Sequence, residues 1–338
     1  MKQIIEKIID NENLTIEEAY TSMLRVMNGE INNSHLAAFL IALKSKGETA
    51  HEIAGFAKAM REKSVKLNVD HLDAIDVCGT GGDDSGTFNI STAVSFVVAG
   101  AGIAVAKHGN RSISSISGSA DVLTELGIDI NMSPEKSQRA LEEIGISFMF
   151  APNYHPAMKH AAPVRKELGM KTVFNLLGPL TNPANTKKQL VGVFNDKFAK
   201  LLSEAADHLG MERVCFVCTD NKRDEVTLDY NTNVYEFNND SAVKHYVITN
   251  ESFGFPTVKL SEIKGDSPAH NARMIYSLLS DKIRNSAFYV VAANAALALY
   301  AAKYSENLTV CKDAAVESIE SGKALEKLIR LKKVSEGH

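Results

Sequence analysis

Two stretches of the chain concentrate groups that can hold an anion. The longer, Lys107-His108-Gly109-Asn110-Arg111-Ser112-Ile113-Ser114-Ser115-Ile116-Ser117-Gly118-Ser119-Ala120-Asp121, contains two cations, two glycines, an asparagine and five serines within fifteen residues. A core segment has no use for that density of donors. Lys107 can neutralise phosphate as a point charge, and Ser114, Ser115, Ser117 and Ser119 can donate to its oxygens. His108 suits a general base and, equally, an orienting or packing imidazole. The apolar run Ala101-Gly102-Ile103-Ala104-Val105-Ala106 comes immediately before. The cluster is therefore expected at the carboxyl end of a buried strand, where ligands bind in open α/β sheets.

The second stretch is the turn Gly79-Thr80-Gly81-Gly82-Asp83, followed by Ser85-Gly86-Thr87-Phe88-Asn89-Ile90-Ser91-Thr92. Glycines let backbone N–H groups approach an anion, and Ser91 and Thr92 place hydroxyls at a helix N-terminus whose dipole favours negative charge. A tight strand-to-helix turn with a Ser/Thr cap is the plainer reading of the glycines alone, and the second anion-rich loop tips the balance. Asp83-Asp84 breaks both the G-x-x-x-x-G-K-[ST] and the G-x-G-x-x-G patterns, which removes the main support for an ATPase or a dehydrogenase. A carboxylate beside phosphate calls for a metal or a ligand hydroxyl between them, and magnesium is the natural metal.

Three further groups invite chemistry. Arg165, in Pro163-Val164-Arg165, suits bidentate recognition of a carboxylate, although a lone Arg is also a common ion-pair partner. Asp224-Glu225 follows an apolar strand and fits a divalent cation shared with a diphosphate, or a solvated acidic turn. Cys215-Phe216-Val217-Cys218 has C-x-x-C spacing without a second ligand pair, so buried thiols are expected rather than zinc.

These groups need elements to hold them. Residues 1 to about 68 show helical spacing, with a capping pattern at Leu14-Thr15-Ile16-Glu17-Glu18 and Leu36, Phe39, Leu40 and Leu43 on one face. From Ala74, short apolar strands alternate with helices: Ile75 to Cys78, Ile103 to Ala106, Ser147 to Phe150, Leu190 to Phe194 and Arg213 to Thr219. That alternation predicts a mainly parallel sheet covered by helices. Val234 to Phe237 and His245 to Ile248 read as an antiparallel hairpin around Asn238-Asn239-Asp240, and Ala287 to Leu331 as helix. The expected fold is α/β, with a small helical domain at 1–68, joined by part of 155–185, and a large domain at 69–338.

Composition narrows the function classes. The 338 residues are 45% hydrophobic and 23% charged, ordinary for a globular protein, and the formal charge of −4 gives no basic field for nucleic acid. Four cysteines in so long a chain make no disulfide framework, no secretory signal reads at the start, and the apolar runs fall short of the roughly 20 residues that span a bilayer. A reduced cytoplasm, no membrane and no nucleic acid are expected.

Taken together, the motifs resemble those of the anthranilate phosphoribosyltransferase family. The resemblance rests on Gly79-Thr80-Gly81-Gly82-Asp83, Thr87-Phe88-Asn89-Ile90-Ser91-Thr92, Lys107-His108-Gly109-Asn110-Arg111 and Ser114-Ser115-x-Ser117-Gly118-Ser119-Ala120-Asp121. It continues through Tyr154-His155-Pro156-Ala157-Met158, Pro163-Val164-Arg165, Phe174-Asn175-Leu176-Leu177-Gly178-Pro179-Leu180 and Ser321-Gly322-Lys323-Ala324. It implies a nucleoside phosphorylase/phosphoribosyltransferase-like fold, dimerising through the helical domain. The implied reaction moves a phosphoribosyl group from 5-phosphoribosyl 1-pyrophosphate (PRPP) to the amine of anthranilate, in tryptophan biosynthesis.

Carried onto this chain, the resemblance implies that Gly79, Gly82, Asp83, Thr87, Asn89, Ile90, Ser91, Thr92, Lys107, His108, Gly109, Asn110, Arg111, Ser112, Ile113, Ser114, Ser115 and Ser119 bind PRPP. Asn110 and Arg165, with Gly79 near both ligands, would hold anthranilate. Ser91, Asp224 and Glu225 would serve two magnesium ions. Lys107, Asn110 and Arg165 would act by positioning and electrostatics. One departure stands out: the family carries a histidine-glycine and an aspartate-glycine pair before the acidic pair, where this chain has Cys218-Thr219-Asp220-Asn221-Lys222-Arg223. The rival readings are a pyrimidine-nucleoside phosphorylase, which carries Lys-His-Ser-Gly-Arg at the second loop, and a non-catalytic relative using an inherited pocket.

Overall fold

The computed structural model describes residues 1–82, 86–112 and 117–337. Its amino-terminal part is four helices, Lys2–Ile9, Ile16–Met27, Asn33–Lys46 and Ala50–Glu62. Local chemistry starts two of them: Thr15 and Thr49 each form a capping box, with Glu18 and Glu52 three residues on. Leu36, Phe39, Leu40 and Leu43 are buried on one face, as their spacing predicts. The apolar cluster beneath these helices also takes in Ala161, Val164, Val173, Phe174, Leu177 and Leu180, and then Val191, Val214 and Phe216 from the sheet. The helices therefore pack on the sheet through the 161–180 segment and through the helix Asp196–Asp207, whose Ala199, Leu202, Ala205 and Ala206 join the same cluster.

The sheet has seven strands: β1 Ile75–Gly79, β2 Val105–Gly109, β3 Ile146–Phe150, β4 Lys188–Gly192, β5 Arg213–Thr219, β6 Thr232–Asn238 and β7 Ser241–Ile248, in the order β3-β2-β1-β4-β5-β6-β7. Pairing is parallel from β3 to β5, and β6 and β7 add antiparallel at one edge. Helices Ile90–Gly100, Ser286–Ala301, Leu308–Glu320 and Lys323–Glu336 contribute to the cluster on the other face. Among the described residues no helix is long and apolar enough to cross a membrane.

Strand bounds differ from the sequence expectation in several places: β3, β6 and β7 begin one, two and four residues earlier, and two further differences fall at lysines. β2 starts at Val105 and runs on through Lys107, His108 and Gly109, not over Ile103 to Ala106. β4 starts at Lys188, two residues ahead of its apolar run. Hydropathy ends a strand at its first charge, but both lysines are buried with partners that make burial tolerable. Lys188 pairs with Asp73 at 2.5 Å, and Lys107 donates to a strand carbonyl.

Candidate active site

The chain passes from β1 to β2 and β3 on one side of the sheet, then returns to β4 and β5 on the other. Strand order thus reverses between β1 and β4, and such a switch opens a crevice at the carboxyl ends. Gly79 lies opposite Gly192 at that point. A Cβ on Gly192 would collide with the Asp224 carbonyl oxygen, and one on Gly79 would sit 2.9 Å from Asp224 Oδ2. The acidic segment therefore lies directly across the two strand ends. Gly81 N–H donates to Asp224 Oδ2 at 3.1 Å, tying that segment to the glycine turn. From the 161–180 segment, Lys171 Nζ donates to Gly82 O at 2.6 Å while lying 4.0 Å from the centre of the Phe194 ring.

Three contacts fix the acidic segment. Thr219 Oγ1 donates to Glu225 O at 2.7 Å. Asn294, buried in the apolar helix Ser286–Ala301, accepts from Val226 N–H at 3.0 Å and donates to Val226 O at 2.8 Å. Where the chain departs from the family pattern, Asp220 and Asn221 adopt left-handed backbone (φ 54 and 48), and Asn221 Oδ1 accepts from Asp196 N–H at 2.9 Å. Arg223 lies 4.5 Å from the centre of the Tyr230 ring and 3.9 Å from Asp220, while Lys222 is exposed. The guanidinium thus has partners of its own in Tyr230 and Asp220. Cys215 and Cys218 are buried free thiols, and burial pushes Cys218 up to about 12.

On the other side, Lys107 is 3% exposed. Its ammonium donates to Val77 O at 2.6 Å and lies 3.4 Å from Ser91 Oγ, at the start of the helix Ile90–Gly100. Burial lowers its pKa while the Asp76 carboxylate opposes that shift. Thr92 is buried there, its hydroxyl without a partner among the described residues. Ile90 is a core side chain and offers nothing polar of its own. Thr87 pairs with Lys264 in an isolated bridge. Asn89 joins the two loops: its Nδ2 donates to Ser117 O at 3.1 Å, and its Oδ1 accepts from buried Asn271 at 3.0 Å.

The second loop closes on Asp121, which accepts from Ser112 N–H at 3.1 Å, Gly118 N–H at 3.0 Å and Arg111 Nη1 at 2.8 Å. A side chain at Gly118 would strike the Ser112 nitrogen, and one at Gly109 the Ser119 hydroxyl. Asn110 is exposed, its carbonyl accepting from Ala120 N–H and Ser119 Oγ. Asp83, Ile113, Ser114 and Ser115 lie outside the described residues.

Arg165, on the helix Ala162–Leu168, holds its guanidinium 5.1 Å from the centre of the Phe174 ring. Among the described residues no carboxylate pairs with it, so it is open to one from a ligand. His108 and His155 lie against each other with ring centres 5.1 Å apart and planes tilted by 51°, each buried with an Nε2 that has no partner among the described residues. Burial depresses His108 to about 3 and His155 to about 4, against hydrogen bonds to the backbone of Gly178 and Thr181. Rings held so low are weak proton acceptors, which favours the packing imidazole over a general base.

Ser91, Asp224 and Glu225 offer oxygen donors alone. Among the described residues no group of three His, Cys, Asp or Glu could hold a metal ion. Such a sparse, hard donor set fits magnesium, which keeps waters and takes substrate phosphates rather than a full protein cage. Sequence reasoning missed Asp76, Asn182, Asn271 and Asn294. A carboxylate inside an apolar strand and an amide inside an apolar helix were the visible signals.

Comparison with known proteins shows which family the chain is similar to. Residues 2–64 match the glycosyl transferase family helical bundle domain, and residues 71–325 the a/b domain of the same family. The anthranilate phosphoribosyltransferase of Thermoanaerobacter sp. is 46% identical over 331 residues, covering 98% of this chain and 97% of that protein. The crystal structure of the Thermus thermophilus enzyme superposes with a TM-score of 0.93 at 40% identity over 99% of both chains. The Saccharomyces cerevisiae enzyme in complex with PRPP and Mg gives 0.89 at 27% identity, covering 99% of this chain and 98% of that one. It is also known in complex with 4-fluoroanthranilate. Similarity of this extent, unbroken through the helices and the sheet, makes the chain a member of the anthranilate phosphoribosyltransferase family.

Proposed function

We propose that this protein transfers the phosphoribosyl group of PRPP to the amine of anthranilate, giving N-(5-phosphoribosyl)anthranilate and pyrophosphate in tryptophan biosynthesis. The observation that carries the reading is the buried Lys107 ammonium at a switch-point crevice, 3.4 Å from Ser91 Oγ at the start of a helix.

An aryl amine is neutral at pH 7 and carries a usable lone pair. The difficult part is therefore the charge of departing pyrophosphate and the positive charge growing at the anomeric carbon, a task for electrostatics and positioning. Lys107 offsets leaving-group charge from behind the glycine turn. Gly79, Gly82, Asp83, Thr87, Asn89, Ser91, Thr92, the 107–115 segment and Ser119 hold the donor. Arg165 takes the anthranilate carboxylate, and Asn110 with Gly79 completes the acceptor side, so the amine is aimed at the anomeric carbon. No covalent nucleophile is needed. Ser91, Asp224 and Glu225 hold two magnesium ions, which when bound neutralise the pyrophosphate.

A cytoplasmic homodimer completes the reading. The chain divides into a helical domain at 1–68, joined by part of 155–185, and the α/β domain at 69–338.

The test is direct: purified protein with magnesium, PRPP and anthranilate should consume anthranilate, followed by its fluorescence, and release pyrophosphate. Absence of that turnover together with phosphorolysis of thymidine or uridine would overturn the reading.

A further inference from the structure

The ladder between β1 and β2 opens after one registered pair. Ile75 aligns with Val105, and Ile75 N–H donates to Ala104 O at 2.9 Å. In a parallel ladder continuing at that register, Val77 N–H would meet Ala106 O and His108 N–H would meet Val77 O. Side chains have taken three of those four groups. Ala106 O accepts from Asn182 Nδ2 at 2.8 Å, His108 N–H donates to Asp76 Oδ1 at 3.2 Å, and Val77 O accepts from Lys107 Nζ at 2.6 Å. The same Asn182 amide donates to Asp76 Oδ2 at 2.8 Å, and Asn182 Oδ1 is in turn held by Ala184 N–H.

We infer that Asp76 and Asn182 are positioning residues for the transfer reaction: they hold the end of β2 off β1 so that the Lys107 ammonium lies between the strand ends, facing Ser91. The inference rests on the proposed reaction and adds to it. Opening a central ladder leaves strong backbone groups to be satisfied, and a fully buried carboxylate is costly unless hydrogen bonded. Here each of those side-chain groups serves the other. Asp76 accepts from a backbone donor and from the amide, and although burial raises its pKa, the Lys107 ammonium opposes that shift. With a closed ladder, His108 N–H would occupy Val77 O and Lys107 would lose the acceptor that fixes its ammonium.

The experiment compares Asp76→Asn and Asn182→Ala with the unaltered enzyme, whose own turnover separately tests the reaction. Losing one partner of a buried charge-assisted contact is expected to raise the KM and the calorimetric Kd for PRPP about tenfold in Asp76→Asn, and about threefold in Asn182→Ala. The anthranilate KM should change by less than about twofold in both, a split that general loosening would not produce. Hydrogen exchange over residues 105–109 should quicken in both, whether or not the protein turns over. If Asp76→Asn does not fold, Asn182→Ala decides. Unchanged PRPP affinity, equal rises for both substrates, or unaltered exchange over 105–109 would each overturn the inference.

Discussion

Asn294 holds both backbone polar groups of Val226, accepting from its N–H at 3.0 Å and donating to its carbonyl at 2.8 Å. Its side chain also reaches Val290 O within its own helix, so one buried amide joins the longest apolar helix to the residue after Asp224-Glu225. An amide paired with both the N–H and the C=O of one residue holds the two peptide groups on either side of it, which a single hydrogen bond would not.

Asn294→Leu removes that pairing and leaves two buried backbone groups without partners. Stability should fall by about 1–3 kcal/mol, read from urea unfolding. The magnesium concentration for half-maximal activity should rise several-fold while the anthranilate KM stays near its original value. A loss of stability with no change in magnesium requirement would show that Asn294 does not position the acidic pair.

Arg165 meets Phe174 and no carboxylate among the described residues. A bidentate charge-assisted pair to the anthranilate carboxylate contributes roughly 2 kcal/mol, so Arg165→Ala should raise the anthranilate KM about 30-fold. The PRPP KM should move far less. Arg165→Lys should recover only part of the loss, because an ammonium keeps the charge without the fork. Equal effects on both substrates would reject the contact.

The histidine pair gives a pH dependence with a defined sign. Burial depresses His108 from 6.5 to about 3 and His155 from 6.5 to about 4. Between those values the unfolded chain binds protons that the folded protein refuses, so stability is intact above about 6.5 and is lost as pH falls toward 4 and then 3. From pH 7 to pH 5 each ring should cost on the order of 2 kcal/mol. Urea midpoints at the two pH values should therefore converge in His108→Gln relative to the unaltered protein. An unchanged difference would show that His108 is not held neutral.

Local signals made much of the architecture readable. Thr15 with Glu18, and the Leu36-Phe39-Leu40-Leu43 face, depend on neighbours within one or two turns. The apolar strands announce a buried parallel sheet. What escaped depends on distant partners. Lys107 reads as a loop residue until Val77 O is seen to accept its proton across the strands, and Asp76 reads as an anomaly in an apolar strand until Asn182 arrives from 106 positions away. The 161–180 segment is a different case: it packs with the amino-terminal helices inside the 155–185 stretch expected to join them, although the complement to its apolar face lies far from it in sequence.

The acidic segment also resolves what Lys222-Arg223 does in place of the family's pattern. A guanidinium adjacent in sequence to Asp224 would oppose magnesium if it turned toward the carboxylates. Its position over Tyr230 and beside Asp220 gives it other company. Stacking of this kind is worth about 0.5–1 kcal/mol at a partly exposed site. Tyr230→Ala should therefore release Arg223 and raise the half-saturating magnesium concentration about two- to fourfold. Arg223→Leu in the same background should restore the original value, since the competing charge is then gone. The magnesium titration of activity, run for the single and double variants at fixed ionic strength, checks both arms. If Tyr230→Ala leaves the requirement unchanged, Arg223 is held away from the acidic pair by Asp220 and the loop backbone alone.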